Sequence, residues 1–166
     1  MMGAGKSSVG RCLERRTGLS RLDTDEMAAI KLGLSVQEIF SKFGEEKFRE
    51  IETQMLRELD PAKAMIIATG GGIVLRNENV DLMRQLGTIV WLEANEETLF
   101  ERAMRKKVRP LLQTETPRAT FAELLRTRTP LYARIADVRI DTASLSHDEV
   151  AEMILNKIGN LISTRQ

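Results

Sequence analysis

Short apolar segments alternate with longer amphipathic segments along this chain, and this alternation restricts the possible folds more than any other feature of the sequence. The short segments lie at residues 21–23, 64–69, 88–93 and 137–141. Strands that alternate with helices form βαβ units, in which helices cover both faces of a parallel sheet. We therefore predict a three-layer α/β fold with a central parallel sheet flanked by helices.

A glycine-rich segment at the N-terminus predicts a phosphate-binding loop. It continues into a helical pattern over residues 9–16 and reads Gly3-Ala4-Gly5-Lys6-Ser7-Ser8. These residues match the second half of the pattern G-x-x-x-x-G-K-[ST], in which backbone amides and a helix N-terminus surround phosphates, a lysine contacts the outer phosphates and a hydroxyl binds Mg²⁺. The alternative is a glycine-rich helix start with an exposed lysine.

Composition indicates one globular domain over residues 1–166 and excludes several classes of partner. The chain is 42% hydrophobic, and its 25 basic and 24 acidic residues leave a net charge of +1. That balance creates no broad field to attract nucleic acid or an anionic membrane. The sequence has neither a membrane-spanning apolar run nor a signal-peptide pattern, and the single Cys12 cannot form an internal disulfide. We expect a cytoplasmic monomer.

Capping and breaking residues predict several helix boundaries. Ser35 and Glu38 form a capping-box pattern, and Gly44 predicts a break before a second helical stretch. Three further helices, at 78–86, 96–107 and 147–162, are each preceded by a residue suited to the N-cap. These residues are Asn77, Asn95 and Ser146. Residues 105–120 have the composition of a loop and predict a lid.

Two carboxylates follow the strand predicted at residues 21–23. Asp23 and Asp25 would emerge at the carboxyl edge of the parallel sheet, which is the edge where α/β enzymes bind ligands. One could serve Mg²⁺ and the other a substrate hydroxyl. The alternative is that Asp23 or Thr24 simply caps a helix over residues 26–32.

An arginine and a glutamate share one face of the helix predicted after Gly44. Arg49 and Glu52 are three residues apart, so their side chains can meet. They could belong to a binding site. Taken alone, the spacing equally fits an exposed ion pair, which contributes little to stability.

Three consecutive glycines and three arginines complete the candidate site. Gly70, Gly71 and Gly72 follow a predicted strand, where they would allow a ligand to approach the backbone closely. Arginine forks match carboxylate and phosphate oxygens, and suitable arginines lie in the second half of the chain. They are Arg102, Arg109 and Arg128.

These motifs together resemble the shikimate kinase family. In chain order they are Gly-Lys-Ser, Asp-Thr-Asp, Phe-Arg-x-x-Glu, Thr-Gly-Gly-Gly, Arg-Pro-Leu and Arg-x-Pro-Leu-Tyr, and they cover nearly the whole chain. Each is weak alone, but their order and separations are distinctive. The resemblance implies a P-loop kinase fold, with a substrate-binding segment at about residues 24–53 and a lid at about 105–120.

The resemblance also implies an activity and a nucleotide site. Members transfer the γ-phosphate of ATP to the 3-hydroxyl of shikimate, in the pathway to chorismate and the aromatic amino acids. By match, Lys6 and the loop amides would hold the β- and γ-phosphates, while Ser7 and Asp23 would organise Mg²⁺. Arg109 would close over the transferring phosphoryl group from the lid, and Arg102 would lie near adenine.

On the acceptor side, the resemblance implies that Asp25 orients or deprotonates the attacking hydroxyl. Arg49 and Arg128 would bind the substrate carboxylate, with Glu52 and the glycines 70–72 completing the pocket. Two alternatives stay open. One is another small-molecule P-loop kinase, acting on gluconate or a nucleoside monophosphate, and the other is a kinase-like binding module without turnover.

The chain departs from the family pattern at its start. The first glycine of the phosphate-loop pattern would precede Met1, and so would the apolar strand that feeds the loop in relatives. We expect the natural polypeptide to begin upstream of Met1. Without that strand, we expect the sheet to lose its middle and the loop to lose its tether.

Overall fold

The fold is given by a computed structural model that describes residues 1–105 and 109–163. Helices and strands alternate within these ranges. The helices are α1 (Lys6–Thr17), α2 (Thr24–Leu32), α3 (Val36–Arg57), α4 (Asn77–Leu86), α5 (Glu96–Met104), α6 (Pro117–Ile135) and α7 (His147–Ser163). The strands are β1 (Arg21–Asp23), β2 (Ile66–Ala68), β3 (Val90–Glu93) and β4 (Val138–Asp141).

All four predicted strand segments form strands, and they pair in parallel two by two. β1 pairs with β2, with Asp23 opposite Ala68, and β3 pairs with β4, with Val90 opposite Val138. Parallel neighbours need crossover connections, which the helices provide. The α/β class is confirmed. Within the described residues the expected central sheet is divided into these two pairs, and residues 1–5 contain no strand that joins them.

The main hydrophobic core lies between β3, β4 and the surrounding helices. Leu92 and Ile140 are among its strand residues, and Phe121 of α6 and Val150 of α7 belong to the same buried cluster. Val9 places the first helix against the same core. The helix that follows the phosphate loop is therefore fixed by packing, and the loop is fixed with it.

A second, smaller core lies between α2 and α3. It contains Ala28, Ile39, Phe48, Ile51 and Met55, all buried. In α3 the residues Phe48, Ile51 and Met55 recur at helical spacing, so this helix turns an apolar face towards Ala28 of α2. On the same two helices, polar residues outside these apolar positions, such as Asp25 and Arg49, line the ligand cavity.

Local capping signals predicted most helix boundaries correctly. Ser35 and Glu38 form the reciprocal capping box, and the side chain of Asn95 accepts from the amide of Thr98. Ser146 and Glu149 exchange the same pair of side-chain-to-backbone bonds at the start of α7.

The start of α4 and the interior of α3 test two further boundary predictions. The prediction for Asn77 was wrong, because the chain arrives extended at Arg76 and the helix already includes Asn77. Gly44 breaks α3 as predicted: its φ of 79° and ψ of 173° are not helical, and the helical segments before and after it meet at a kink. The predicted lid includes residues 106–108, and the helix predicted at 96–107 includes residues 106 and 107. These residues lie outside the described ranges.

Within residues 1–105 and 109–163, none of the helices combines the length and the apolar character required to cross a membrane.

Candidate active site

One cavity of about 980 Å³ collects the side chains singled out from the sequence. It lies beside the N-terminus of α1 and the carboxyl ends of β1 and β2. Apart from Glu52, which is buried behind the wall, every candidate site residue lines it. The lining candidates are Gly3, Ala4, Gly5, Lys6, Ser7, Ser8, Asp23, Asp25, Arg49, Gly70, Gly71, Gly72, Arg102, Arg109 and Arg128.

The phosphate loop turns tightly into α1. Gly3 has a φ of 77°, and a Cβ there would lie 2.1 Å from the carbonyl oxygen of Leu99, so only glycine fits. α1 then runs for 12 residues from Lys6, with its N-terminus at the cavity. Unpaired amides and the helix dipole make this end attractive to an anion.

A hydroxyl and a carboxylate meet beside this loop. The hydroxyl of Ser7 donates to Oδ2 of Asp23 over 3.0 Å, and Oδ1 of Asp23 accepts from the amide of Asp25 over 3.1 Å. Asp23 therefore caps α2, as the alternative interpretation expected, and also faces the loop. Because Mg²⁺ prefers oxygen ligands and usually retains water and phosphate oxygens, this pair suits it. The described residues contain no group of three His, Cys, Asp or Glu side chains that could hold a metal by themselves.

Asp25 lines the cavity two residues after Asp23. Burial, followed by the charge of Asp23, raises the pKa of this carboxyl, while Lys6, Arg49 and Arg109 oppose the shift. Oδ1 is buried and has no hydrogen-bond partner among the described residues. Because Asp25 lines the cavity, its carboxylate can accept a hydrogen bond from a ligand hydroxyl.

Arg49 and Glu52 form a buried ion pair. Their exposed fractions are 5% and 0%, so the alternative of an exposed surface pair is excluded. Nη1 of Arg49 donates to Oε2 of Glu52, and Nη2 donates to Glu45 over 2.7 Å. Burial raises the pKa of Glu52 to about 7, although Arg49 opposes the shift.

The glycines after β2 make room for these charged groups. A Cβ on Gly70 would lie 2.6 Å from Oε1 of Glu52 and 2.8 Å from Oδ1 of Asp25. A Cβ on Gly72 would lie 2.2 Å from Nη2 of Arg49. All three distances are below van der Waals contact, so larger residues would displace the charged side chains.

α6 supplies another arginine and a tyrosine to this wall. Arg128 is only 3% exposed, and its Nη2 lies 4.0 Å from Oε1 of Glu45. The hydroxyl of Tyr132 donates to the carbonyl of Gly71 over 2.5 Å. Burial raises the pKa of Tyr132 to about 12, so the phenol keeps the proton that it donates. This bond ties α6 to the glycine segment.

Comparisons with known proteins identify the family. The model of the family described as "Shikimate kinase" matches residues 2–159. The chain belongs to the shikimate kinase family. A shikimate kinase of Thermodesulfovibrio yellowstonii is 45% identical over 160 residues, which cover 96% of this chain and 92% of that protein. A shikimate kinase of Moorella thermoacetica is 48% identical over 153 residues, which cover 92% and 87%.

Solved structures of shikimate kinases share the fold. The enzyme from Acinetobacter baumannii in complex with shikimate gives a TM-score of 0.91 at 40% identity, and the match covers 96% of this chain and 89% of that one. The enzyme from Aquifex aeolicus gives 0.83 at 31% identity, covering 98% and 94%. The P-loop kinase fold is thus confirmed, and the alternative of a gluconate or nucleoside monophosphate kinase is excluded.

In this shikimate kinase family member, Arg102 is held on the cavity wall. Its guanidinium donates to the hydroxyl and carbonyl of Thr142 and to the carbonyl of Ala143, over 2.9–3.1 Å. The arginine therefore joins α5 to the segment after β4. Its place beside adenine stays a prediction.

None of the sequence motifs indicates His147, although it lies at the candidate site. Its imidazole ring lies 3.3 Å from the position of a Cβ on Gly5, so the ring packs against the phosphate loop and lines the cavity. The signal in the sequence was only that a lone histidine starts a helix. Only the topology, which brings α7 beside α1, reveals the contact.

Proposed function

We propose that this member of the shikimate kinase family transfers the γ-phosphate of ATP to the 3-hydroxyl of shikimate, giving shikimate 3-phosphate and ADP. One observation carries the proposal: a phosphate loop, an open carboxylate acceptor and two buried arginines face one cavity. This combination suits the simultaneous binding of a nucleotide and a hydroxylated carboxylic acid in one cavity. We infer residue roles on each side of the cavity, and the geometry supports them.

On the nucleotide side, the amides of residues 3–8 and the ammonium of Lys6 hold the β- and γ-phosphates. Ser7 and Asp23 hold Mg²⁺, which when bound neutralises phosphate charge. Arg109 borders the cavity with Nε buried and unpartnered among the described residues, so it has hydrogen-bonding capacity for the transferring phosphoryl group. Such transfer depends on positioning and charge neutralisation more than on covalent participation by the protein.

On the acceptor side, Arg49 and Arg128 bind the shikimate carboxylate, and Asp25 orients the 3-hydroxyl. The hydroxyl oxygen forms the new bond to the γ-phosphorus, the bond to the β–γ bridging oxygen breaks, and the hydroxyl proton passes to Asp25. The glycines at 70–72 complete the pocket, and closure of a lid at about 105–120 excludes water. We expect the protein to act as a cytoplasmic monomer.

Mg²⁺-dependent ADP release tests the proposal. The protein is assayed with ATP and shikimate, gluconate, AMP or no acceptor. Turnover only with shikimate is expected. Shikimate binding without ADP release in a folded sample would instead support the binding-module alternative.

A further inference from the structure

Two buried carboxyl oxygens from different helices face the same point. Oδ1 of Asp25 and Oε1 of Glu52 both lie within 3 Å of the position of a Cβ on Gly70. Neither oxygen has a hydrogen-bond partner among the described residues. Leaving a buried acceptor without a partner is unfavourable, and two such acceptors at one place require a physical explanation.

The surrounding charges do not supply the missing donor. Arg49 already donates to Oε2 of Glu52 and, through Nε and Nη2, to Glu45. Its single positive charge is thus shared between two glutamates. Other charges shift the pKa values of the two carboxyls without supplying a hydrogen bond to either unpartnered oxygen among the described residues. Arg128 acts on Glu52, and Asp23, Lys6, Arg49 and Arg109 act on Asp25. A proton placed between the two oxygens would satisfy both.

We propose that Glu52 is a positioning residue that carries a proton on Oε1 and donates it to Oδ1 of Asp25, which fixes the carboxylate that orients the 3-hydroxyl of shikimate. The inference rests on the role proposed for Asp25. In this arrangement Asp25 stays ionised and Glu52 is the neutral partner. Gly70 is required because any side chain there would separate the two groups.

The electrostatic setting favours a neutral Glu52. Burial raises the pKa of Glu52 to about 7, and the charge of Asp25 contributes in the same direction. Binding of shikimate brings a further carboxylate to Arg49, which weakens the hold of that arginine on Glu52. Acceptor binding above neutral pH therefore takes up a proton from solvent.

The pH dependence of kcat/KM for shikimate tests the proposal. In the wild-type protein, kcat/KM should fall roughly tenfold per pH unit above the pKa of Glu52, because ionised Glu52 repels Asp25. E52Q keeps an N–H donor towards Asp25 and cannot ionise, so this alkaline decrease should disappear. E45Q is the matched control: it also removes a charge beside Arg49 but leaves Glu52 intact, and it should retain the decrease.

Calorimetry supplies a second readout on the intact protein. Shikimate binding measured near pH 8 in two buffers of different ionisation enthalpy should show net proton uptake by the wild type and none by E52Q. Equal uptake by both, or no uptake by the wild type, would overturn the proposal. If E52Q does not fold, the wild-type calorimetry and the pH profile decide alone.

Failure of this inference can be separated from failure of the proposed roles. D25N should weaken shikimate binding whatever the state of Glu52. If D25N binds shikimate as the wild type does, the role of Asp25 is wrong. If D25N weakens binding but E52Q retains the alkaline decrease, only the proton on Glu52 is wrong.

Discussion

At the scale of single residues, the acceptor wall depends on charged side chains that are held by one another. Arg49 is buried between Glu45 and Glu52, and Arg128 lies close to the same Glu45. Such an arrangement is pre-organised, since little side-chain entropy remains to be lost when a carboxylate arrives. Substitutions here should act on one substrate more than on the other.

Arg49→Ala should raise the KM for shikimate roughly thirtyfold or more, because a buried charged hydrogen-bonding partner contributes about 2 kcal/mol or more. The KM for ATP should change far less. Lys6→Ala is the contrasting variant and should mainly lower kcat. Steady-state kinetics with each substrate varied in turn provides the measurement, and equal effects of both substitutions on both substrates would contradict the assignments.

Gly72→Ala should disturb the acceptor site by steric conflict alone. The backbone at Gly72 has a φ of −88°, which any residue adopts, but the new methyl group would lie 2.2 Å from Nη2 of Arg49. We expect a higher KM for shikimate and a loss of about 1–3 kcal/mol in the free energy of unfolding.

Gly159→Ala is the matched control for that methyl group. Gly159 lies in α7, and among the described residues no atom beyond its own helix backbone and chain neighbours lies within 4 Å of the added Cβ. The substitution should leave the KM for shikimate unchanged and stabilise the protein by roughly 0.5–1 kcal/mol, as measured by urea denaturation. A similar loss from both variants would show that the contact with Arg49 is not the cause.

At the scale of elements, local signals predicted what local interactions decide. The capping box at Ser35 and the cap at Asn95 involve residues three positions apart, so the sequence alone contains both partners. The prediction that Asn77 caps α4 was wrong because the chain before it passes through a 3-10 turn at Ile73–Leu75. The path of that turn determines where α4 can begin. That path depends on tertiary contacts, such as the bond from Asn79 Nδ2 to the carbonyl of Ile73.

Gly44→Ala should test the kink in α3. The dihedral angles of Gly44 are strained for any residue with a side chain, yet a Cβ would meet no atom of another described residue within 4 Å beyond the local backbone. The cost is therefore conformational, about 1–3 kcal/mol. We expect a lower melting temperature in thermal denaturation. An unchanged or higher value would mean that α3 straightens at no cost.

At the scale of the whole molecule, sequence motifs predicted which residues line the cavity but not how they interact. The spacing of Arg49 and Glu52 could not distinguish a buried pair from an exposed one, because packing against other elements decides exposure. The convergence of Asp25 and Glu52 on Gly70 joins three separate parts of the chain. His147 against Gly5 is a contact of the same kind.

The stability of the whole molecule should report the ionisation of Glu52. Its pKa of about 7 lies above its usual value of 4.5, so this group stabilises the folded state at low pH and loses that contribution as pH rises towards 7. The loss is on the order of 3 kcal/mol. Glutamine does not ionise, so E52Q does not undergo this loss. Its free energy of unfolding should therefore increase relative to that of the wild type between about pH 4.5 and 7. Urea denaturation at several pH values measures the difference, and a constant difference would contradict the shift.

The small core between α2 and α3 has a consequence for the order in which the molecule loses structure. Asp25 stands on α2, whose buried Ala28 belongs to this small core, whereas Val9 of α1 and Leu56 of α3 belong to the main core. Regions with fewer buried apolar contacts open first. On gentle heating, amide protons in α2 should therefore exchange with solvent before those in α1, so that Asp25 is lost from the acceptor site while the phosphate loop is still folded.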